Sequence, residues 1–217
     1  QFLAGILIIF AIFSADPLWA ASGELGLSAG YRIDQFDWNI ASDISGTTPN
    51  VLSELSWDDL QILQVGAESI IVRPLRDRIS TVLLGRASYG WILAGDNQDS
   101  DYGGDNRTLE WSRSNNDAGD GHVFDLEGGV GLRIDLADNN WSLTPQVGYA
   151  YYEQSLVMQN GYQTVSEPTL APPPYVPSPL GPIVGLDSTY LAWWFGPWFG
   201  LKTDYQQGDR LFFDFSF

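Results

Sequence analysis

Carboxylate side chains are the most concentrated chemically active groups in this sequence of 217 residues. Five of them fall within one polar stretch: Asp96, Asp99, Asp101, Asp105 and Glu110. Asp99 and Asp101 stand two positions apart, so they project to the same side if the chain is extended there. Two carboxylates held this close repel each other, and one of them retains a proton. Such a pair can position or activate a water molecule, which makes Asp99 and Asp101 candidate catalytic residues.

The same stretch allows two other interpretations. Asp99, Asp101, Asp105 and Glu110 stand at intervals that resemble the oxygen ligands of an EF-hand calcium loop. Arg107 inside the stretch and the lack of predicted flanking helices count against calcium. A solvated acidic loop is the third interpretation. Spacing alone does not choose between the three, and the sequence assigns no metal or other cofactor.

Few residues in this sequence could form the other common catalytic arrangements. It contains no cysteine, one histidine (His122) and one lysine (Lys202). A Ser/His/Asp triad would have to use His122, which lies near Asp120 and Asp125 and is expected to be a hydrogen-bonded residue at the end of a strand. Lys and Arg number 10 against 27 Asp and Glu, which gives a net charge of −17. This charge disfavours nucleic acid as a partner.

The elements that must carry these residues show a period of two. From Glu24 to Asp34, apolar or small residues alternate without exception with polar residues or glycine. Such alternation indicates a β-strand with one apolar and one polar face. The pattern returns, with less regularity, in residues 52–72, 79–93, 122–136, 141–151, 191–201 and 211–217. The phase slips midway through 52–72, which predicts a β-bulge there.

The predicted connections alternate between short and long. Tight turns are expected at 74–77, 137–140 and 206–209, and long polar loops at 35–50, 96–121 and 154–188. Short turns on one rim and long loops on the other are the layout of an outer-membrane β-barrel. The proline-rich stretch within the last loop is expected to be stiff and to cap the barrel mouth. A soluble β-sandwich or barrel also alternates, and it is the competing fold.

The first residues have the features of a targeting segment. Phe2–Phe13 is an apolar run too short to span a bilayer as a helix, and small residues follow at Ala20 and Ala21. These features predict a partial signal peptide over residues 1–21. Residues 22–217 then form one outer-membrane β-barrel domain. Since single-chain bacterial barrels have an even number of strands, a count of about seven predicts a C-terminally truncated barrel.

Several segments resemble the omptins, which are outer-membrane aspartyl proteases. SELSWDDLQI at 53–62 is similar to the start of the second omptin strand, and YGWILAGDNQDSDY at 89–102 is similar to the third strand with its Asp-x-Asp-aromatic motif. Later segments keep the omptin order as far as 194–206. The resemblance implies an all-β fold, an antiparallel transmembrane β-barrel of omptin type with about ten strands when complete and about seven here.

The resemblance also implies roles for individual residues. Asp99 and Asp101 match the aspartate pair that flanks the nucleophilic water of omptins, and Asp34 falls near an acidic residue that selects basic substrate side chains. The other half of an omptin site is an Asp-His pair, which is expected beyond Phe217. The fragment itself is therefore expected to be inactive.

Two functions remain open at this point. The first is an omptin-like outer-membrane endopeptidase that acts on peptide or protein substrates. The alternative is a non-catalytic barrel: a porin-like protein, an adhesin, or a surface protein that binds calcium or another ligand. Under both, the protein is expected in the bacterial outer membrane, with membrane lipid and lipopolysaccharide as its surroundings.

Overall fold

The computed structural model describes residues 21–136, 140–207 and 211–216, which include only the last position of the predicted signal peptide. These residues form antiparallel β-sheet with one 3-10 turn at Asp105–Arg107. The strands are β1 (Ser22–Ile40), β2 (Ser53–Arg76), β3 (Ile79–Gly104), β4 (Thr108–Asp117), β5 (Gly121–Asp135), β6 (Trp141–Ser166), β7 (Gly181–Pro182), β8 (Asp187–Gln207) and β9 (Leu211–Ser216). Within the described ranges, no helix is long and apolar enough to cross a membrane.

The strands form one continuous sheet whose two ends differ. Near the short turns, β3 pairs with β5 and β5 with β6, so the order is β1-β2-β3-β5-β6-β8-β9. Toward the long connections, β3 instead pairs with β4 over residues 96–104. β4 in turn pairs with β6 over 112–117. Residues 96–117 therefore form a hairpin that extends one wall of the sheet, and we call it the hairpin extension.

Strands continue into the segments that were expected to be long loops. β1 reaches Ile40, the hairpin extension occupies most of 96–121, and β6 reaches Ser166. The prediction of a loop over 96–121 is therefore wrong. Polar residues can continue a β-ladder there because backbone hydrogen bonds hold it, while its side chains face water or a polar cleft.

A belt of apolar side chains faces outward around the turn side of the sheet. Leu27 and Phe199, for example, are 82% and 81% exposed. The belt covers residues 25–33, 63–71, 83–93, 126–134, 143–151 and 191–201. About ten residues of tilted strand cross the hydrocarbon core of a bilayer. These six stretches are therefore the membrane-spanning segments, and the fold is a transmembrane β-barrel.

An apolar core lies inside the barrel where the strands leave the belt. Fully buried Trp57 packs against the rings of Phe36 and Tyr190, at centroid distances of 5.7 and 5.4 Å. The other members of the core are Leu55, Leu60, Ile62, Ile92, Ala118, Val123 and Leu156. The pairing of β2 with β3 shifts between Asp58 and Ile62, which confirms the predicted bulge. The bulge lets both Trp57 and Ile62 face inward although five positions separate them.

Polar side chains fill the interior next to this core. Arg32 of β1 contacts Asp34 at 2.7 Å and Asp125 of β5 at 3.2 Å. Gln64 of β2 donates a hydrogen bond to the same Asp125 carboxylate at 2.9 Å. Gln154 of β6 donates to Asp34 at 3.3 Å. The network joins strands that are not neighbours in the sheet, so side chains meet across the interior at this level.

Candidate functional site

Asp99 and Asp101 lie on the hairpin extension, outside the membrane-spanning segments. In the pairing of β3 with β4, Asp99 stands opposite Ser114 and Asp101 opposite Ser112. Because β3 continues through both positions, the two carboxylates share one face of the sheet, as their spacing predicted for an extended chain. Both line the same cleft.

The cleft has a volume of about 300 Å³ and two chemically different walls. One wall is polar and comes from β3, β4 and β6: Asp99, Asp101, Ser112, Ser114, Asn116 and Gln163. The other wall is mainly apolar and comes from β6 and the long connection that follows it: Met158, Val176, Pro177, Ile183 and Leu186. The cleft therefore suits a small molecule with one polar and one apolar part.

Burial controls the charge of the aspartate pair. It raises the pKa of Asp99 to about 6, and the neighbouring charge of Asp101 adds to this rise. Burial also raises the pKa of Asp101, although hydrogen bonds from Ser53 and Ser112 to its carboxylate oppose the change. Near pH 6 Asp99 takes up a proton. The pair can thus accept hydrogen bonds from a cation or hold a water molecule.

The proline-rich stretch is fixed over the cleft by contacts at both of its ends. The Glu167 N–H donates to the Trp111 carbonyl at 2.9 Å, and the Ile183 N–H donates to the Gly161 carbonyl at 2.7 Å. Between these points the Tyr175 ring stacks on Trp111, with centroids 5.9 Å apart. The short strand β7 pairs with β6. This anchoring holds the apolar wall against the polar one.

Two polar atoms at the cleft have no hydrogen-bond partner among the described residues: Trp111 Nε1 and Asn116 Oδ1. Their residues are 5% and 6% exposed and both line the cleft. The Asn116 Nδ2 group, in contrast, donates to Asn97 Oδ1 at 2.7 Å. A buried polar atom without a partner costs free energy, and a hydrogen bond to either atom would remove that cost.

Asp34, the predicted substrate-selecting residue, lies elsewhere. Its carboxylate accepts hydrogen bonds from Arg32 and Gln154 in the barrel interior. It is not among the residues that line the cleft. The structure therefore brings Asp99 and Asp101 together but leaves Asp34 apart, and a substrate role for Asp34 stays a prediction.

His122 is also remote from the aspartate pair. Its Nε2 atom lies 3.6 Å from Glu153 Oε1, and its ring stacks on Tyr89 at a centroid distance of 5.3 Å. Asp120 accepts a hydrogen bond from the Gly121 N–H, and Asp125 belongs to the interior network. His122 thus has a carboxylate neighbour and a ring stack, and the expected hydrogen bond of its side chain stays a prediction.

The predicted calcium ligands do not assemble. The carboxylate of Asp105 accepts hydrogen bonds from the backbone of Thr48 and Asn50, at 3.2 and 2.8 Å, because it lies at the tip of the hairpin. Glu110 pairs with Arg113 at 2.7 Å. In the part of the chain that the structure describes, no three acidic or histidine side chains are grouped so that they could hold a metal ion.

Sequence reasoning missed the residues of β4 that complete the site. Ser112, Ser114 and Asn116 alternate with Arg113 and Asn115, and this period of two was the available signal. Because neither set is apolar, this pattern alone does not distinguish a strand from a loop. The contribution of the proline-rich stretch had no local signal, since it depends on which strand that stretch packs against.

Comparisons with known proteins agree with a membrane barrel. No curated protein matches the chain. A family model described as Pom, Protochlamydia outer membrane protein, matches residues 26–217, which include every strand from β2 onward and most of β1. The match identifies an outer-membrane protein and gives no support for the omptin resemblance in particular. The chain belongs to the Protochlamydia outer membrane protein family and is a β-barrel of the bacterial outer membrane.

Proposed function

We propose that this protein is a non-catalytic outer-membrane barrel that binds a ligand in the cleft outside the membrane and does not conduct solutes. The observation that carries the proposal is the filled barrel interior. Arg32 and Asp125 meet across it, and the core around Trp57 packs apolar side chains next to that contact. A water-filled channel requires an interior that side chains do not block.

The interior does contain a cavity on the turn side of this blockage. Its volume is about 400 Å³, and charged residues such as Glu68, Arg86 and Glu127 line it. The network of Arg32, Asp125 and Gln64 lies between this cavity and the apolar core. Solutes that entered the cavity would meet the network and then the core, so these contacts support an obstructed interior rather than a pore.

A planar-bilayer recording on the refolded full-length chain tests the proposal. We expect no current steps above the bare bilayer at either polarity, because packed side chains interrupt the water path. A general porin reconstituted in the same bilayer serves as the positive control. Discrete steps that scale with salt concentration would show an open channel and contradict the proposal.

The aspartate pair favours one second candidate, an omptin-like endopeptidase. Asp99 and Asp101 share one face, and the raised pKa of Asp99 allows the pair to hold a proton near pH 6. Paired aspartates of this kind can polarise an attacking water. However, the described residues that line the cleft include no histidine that could accept a proton from that water. We rank this candidate below ligand binding because the family match gives no support for the omptin resemblance.

Digestion of a mixed peptide library by the protein expressed from its whole gene separates the two candidates, because that protein includes any Asp-His pair that the omptin resemblance implies. We expect no new peptide termini, since the cleft has carboxylates but no histidine among its described residues. Asp58→Asn is the matched control, because it removes one exposed carboxylate of the neighbouring strand. Cleavage that Asp99→Asn abolishes and Asp58→Asn leaves intact would establish the endopeptidase instead.

A further inference from the structure

We propose that the cleft binds a small organic amine, with its ammonium group between Asp99 and Asp101, its carbon stem against the apolar wall and an oxygen acceptor facing Trp111. This inference rests on the proposed function and names the chemical class of its ligand. It combines three features of the cleft: the sign of its charge, its unpaired polar atoms and the division between its two walls.

The charge and the acceptor atoms of the polar wall select a cation. Asp99 and Asp101 bring two carboxylates, and Asn116 adds the unpartnered Oδ1 atom. All of these atoms accept hydrogen bonds, whereas an ammonium group has three donors and no acceptor. Burying two like charges together is unfavourable unless an opposite charge accompanies them. A bound ammonium group supplies that charge and the missing donors.

The unpartnered Trp111 Nε1 atom adds a second requirement. An indole N–H is a donor only, so an ammonium group cannot satisfy it. The atom is buried, and its residue is 5% exposed, so a ligand atom that reaches it gains a hydrogen bond from which bulk water is largely excluded. A hydroxyl or carbonyl oxygen on the ligand meets this need. The ligand therefore carries an amine and an oxygen acceptor, as an amino alcohol does.

The apolar wall indicates the chemistry of the ligand segment that joins the amine and the oxygen. Val176 and Pro177 of the proline-rich stretch, with Ile183 and Leu186 near β7, face the polar wall across the cleft. A short methylene stem buries apolar surface against them. The volume of about 300 Å³ is at the lower end for small-molecule sites, which fits a compact amine better than a folded protein segment.

Isothermal titration calorimetry on the refolded full-length barrel, in detergent at about pH 8, tests this inference. The probe is aminopentanol; pentanediol is the uncharged match, and pentylamine lacks the oxygen. We expect saturable binding of aminopentanol, weaker binding of pentylamine and no detectable heat with pentanediol. Equal binding of pentanediol, or no heat with aminopentanol, overturns the inference.

Two substitutions locate the binding. Asp99→Asn is expected to weaken aminopentanol binding roughly tenfold or more, because a hydrogen bond to a charged group is lost. Asp58→Asn, which removes an exposed carboxylate outside the cleft, is expected to leave the affinity unchanged. An equal loss in both variants points to general charge attraction and overturns the site.

A third substitution remains decisive if Asp99→Asn does not fold. Val176 lines the cleft but is 80% exposed, so Val176→Lys leaves the core unchanged and puts a cation at the cleft rim. We expect it to weaken aminopentanol binding at least severalfold, and an unchanged affinity overturns the inference. The proposed function is tested separately by the bilayer recording. If the barrel shows no conductance and binds no amine, only the proposed ligand class is refuted. If the recording shows channel steps, the proposal that the barrel does not conduct is refuted, whatever the titration shows.

Discussion

Trp57→Ala is expected to lower the free energy of unfolding by about 3 to 5 kcal/mol, the largest effect of any single change considered. Trp57 is fully buried at the centre of the apolar core. Its Nε1 atom donates a hydrogen bond to the Val157 carbonyl of β6 at 3.1 Å, and its ring packs against Phe36 and Tyr190. Alanine leaves a cavity between β1, β2, β6 and β8 and removes the hydrogen bond to the Val157 carbonyl.

Equilibrium urea unfolding of the refolded barrel in lipid vesicles, followed by circular dichroism, measures this loss. Tyr162→Ala is the matched control, because Tyr162 is an aromatic residue on β6 that is exposed and outside the core. We expect the control to change stability by less than about 1 kcal/mol, within the range of strand propensity. Similar losses for both variants would mean that the core around Trp57 does not hold the strands together.

The barrel itself was predictable because its membrane part obeys a strict local rule. Between Glu24 and Asp34 every second side chain faces lipid, so the alternation appears in the sequence without knowledge of the partners. The slip in the pattern of β2 was also visible, and the bulge beside Asp58 confirms it. These features depend only on neighbouring residues.

The hairpin extension was not predictable in the same way. Outside the bilayer a strand needs no apolar face, and β4 continues its pairing with β3 through the polar residues Ser112, Ser114 and Asn116. Such a sequence has the composition of a loop. Its strand character comes from pairing with β3 and β6, which composition does not encode.

The candidate site was predicted in part, for a related reason. The spacing of Asp99 and Asp101 was sufficient to place both carboxylates on one side of an extended chain. The other wall of the cleft comes from the proline-rich stretch, about seventy positions farther along the chain, and only the fold brings it there. Roles inherited from the omptin resemblance, such as that of Asp34, depend on contacts that short motifs do not determine.

Replacing Asp99 by Asn is expected to stabilise the barrel at about pH 8 and to have a much smaller effect at about pH 4. The pKa of Asp99 is raised from 3.8 to about 6 in the folded chain, so folding is penalised wherever the group is ionised in both states. This penalty is absent at pH values below the pKa of Asp99 in the unfolded chain. It grows as the pH rises toward and through the pKa of Asp99 in the folded chain. A shift of this size corresponds to at most about 3 kcal/mol. Since Asp99 is partly exposed, we expect a gain of about 1 to 3 kcal/mol.

Urea unfolding of wild type and Asp99→Asn at several pH values between about 4 and about 8 measures this difference. Asp58→Asn is again the control, and we expect its stability to follow the wild type because Asp58 is exposed. A gain for Asp99→Asn that is the same at every pH would mean that the ionised carboxylate carries no folding penalty. The gain in stability of Asp99→Asn is expected to grow with pH, and the same variant is expected to lose amine binding. Both results together would mean that the ionised Asp99 carboxylate lowers the stability of the fold but is needed for binding. Such a loss of stability is typical of a residue retained for function.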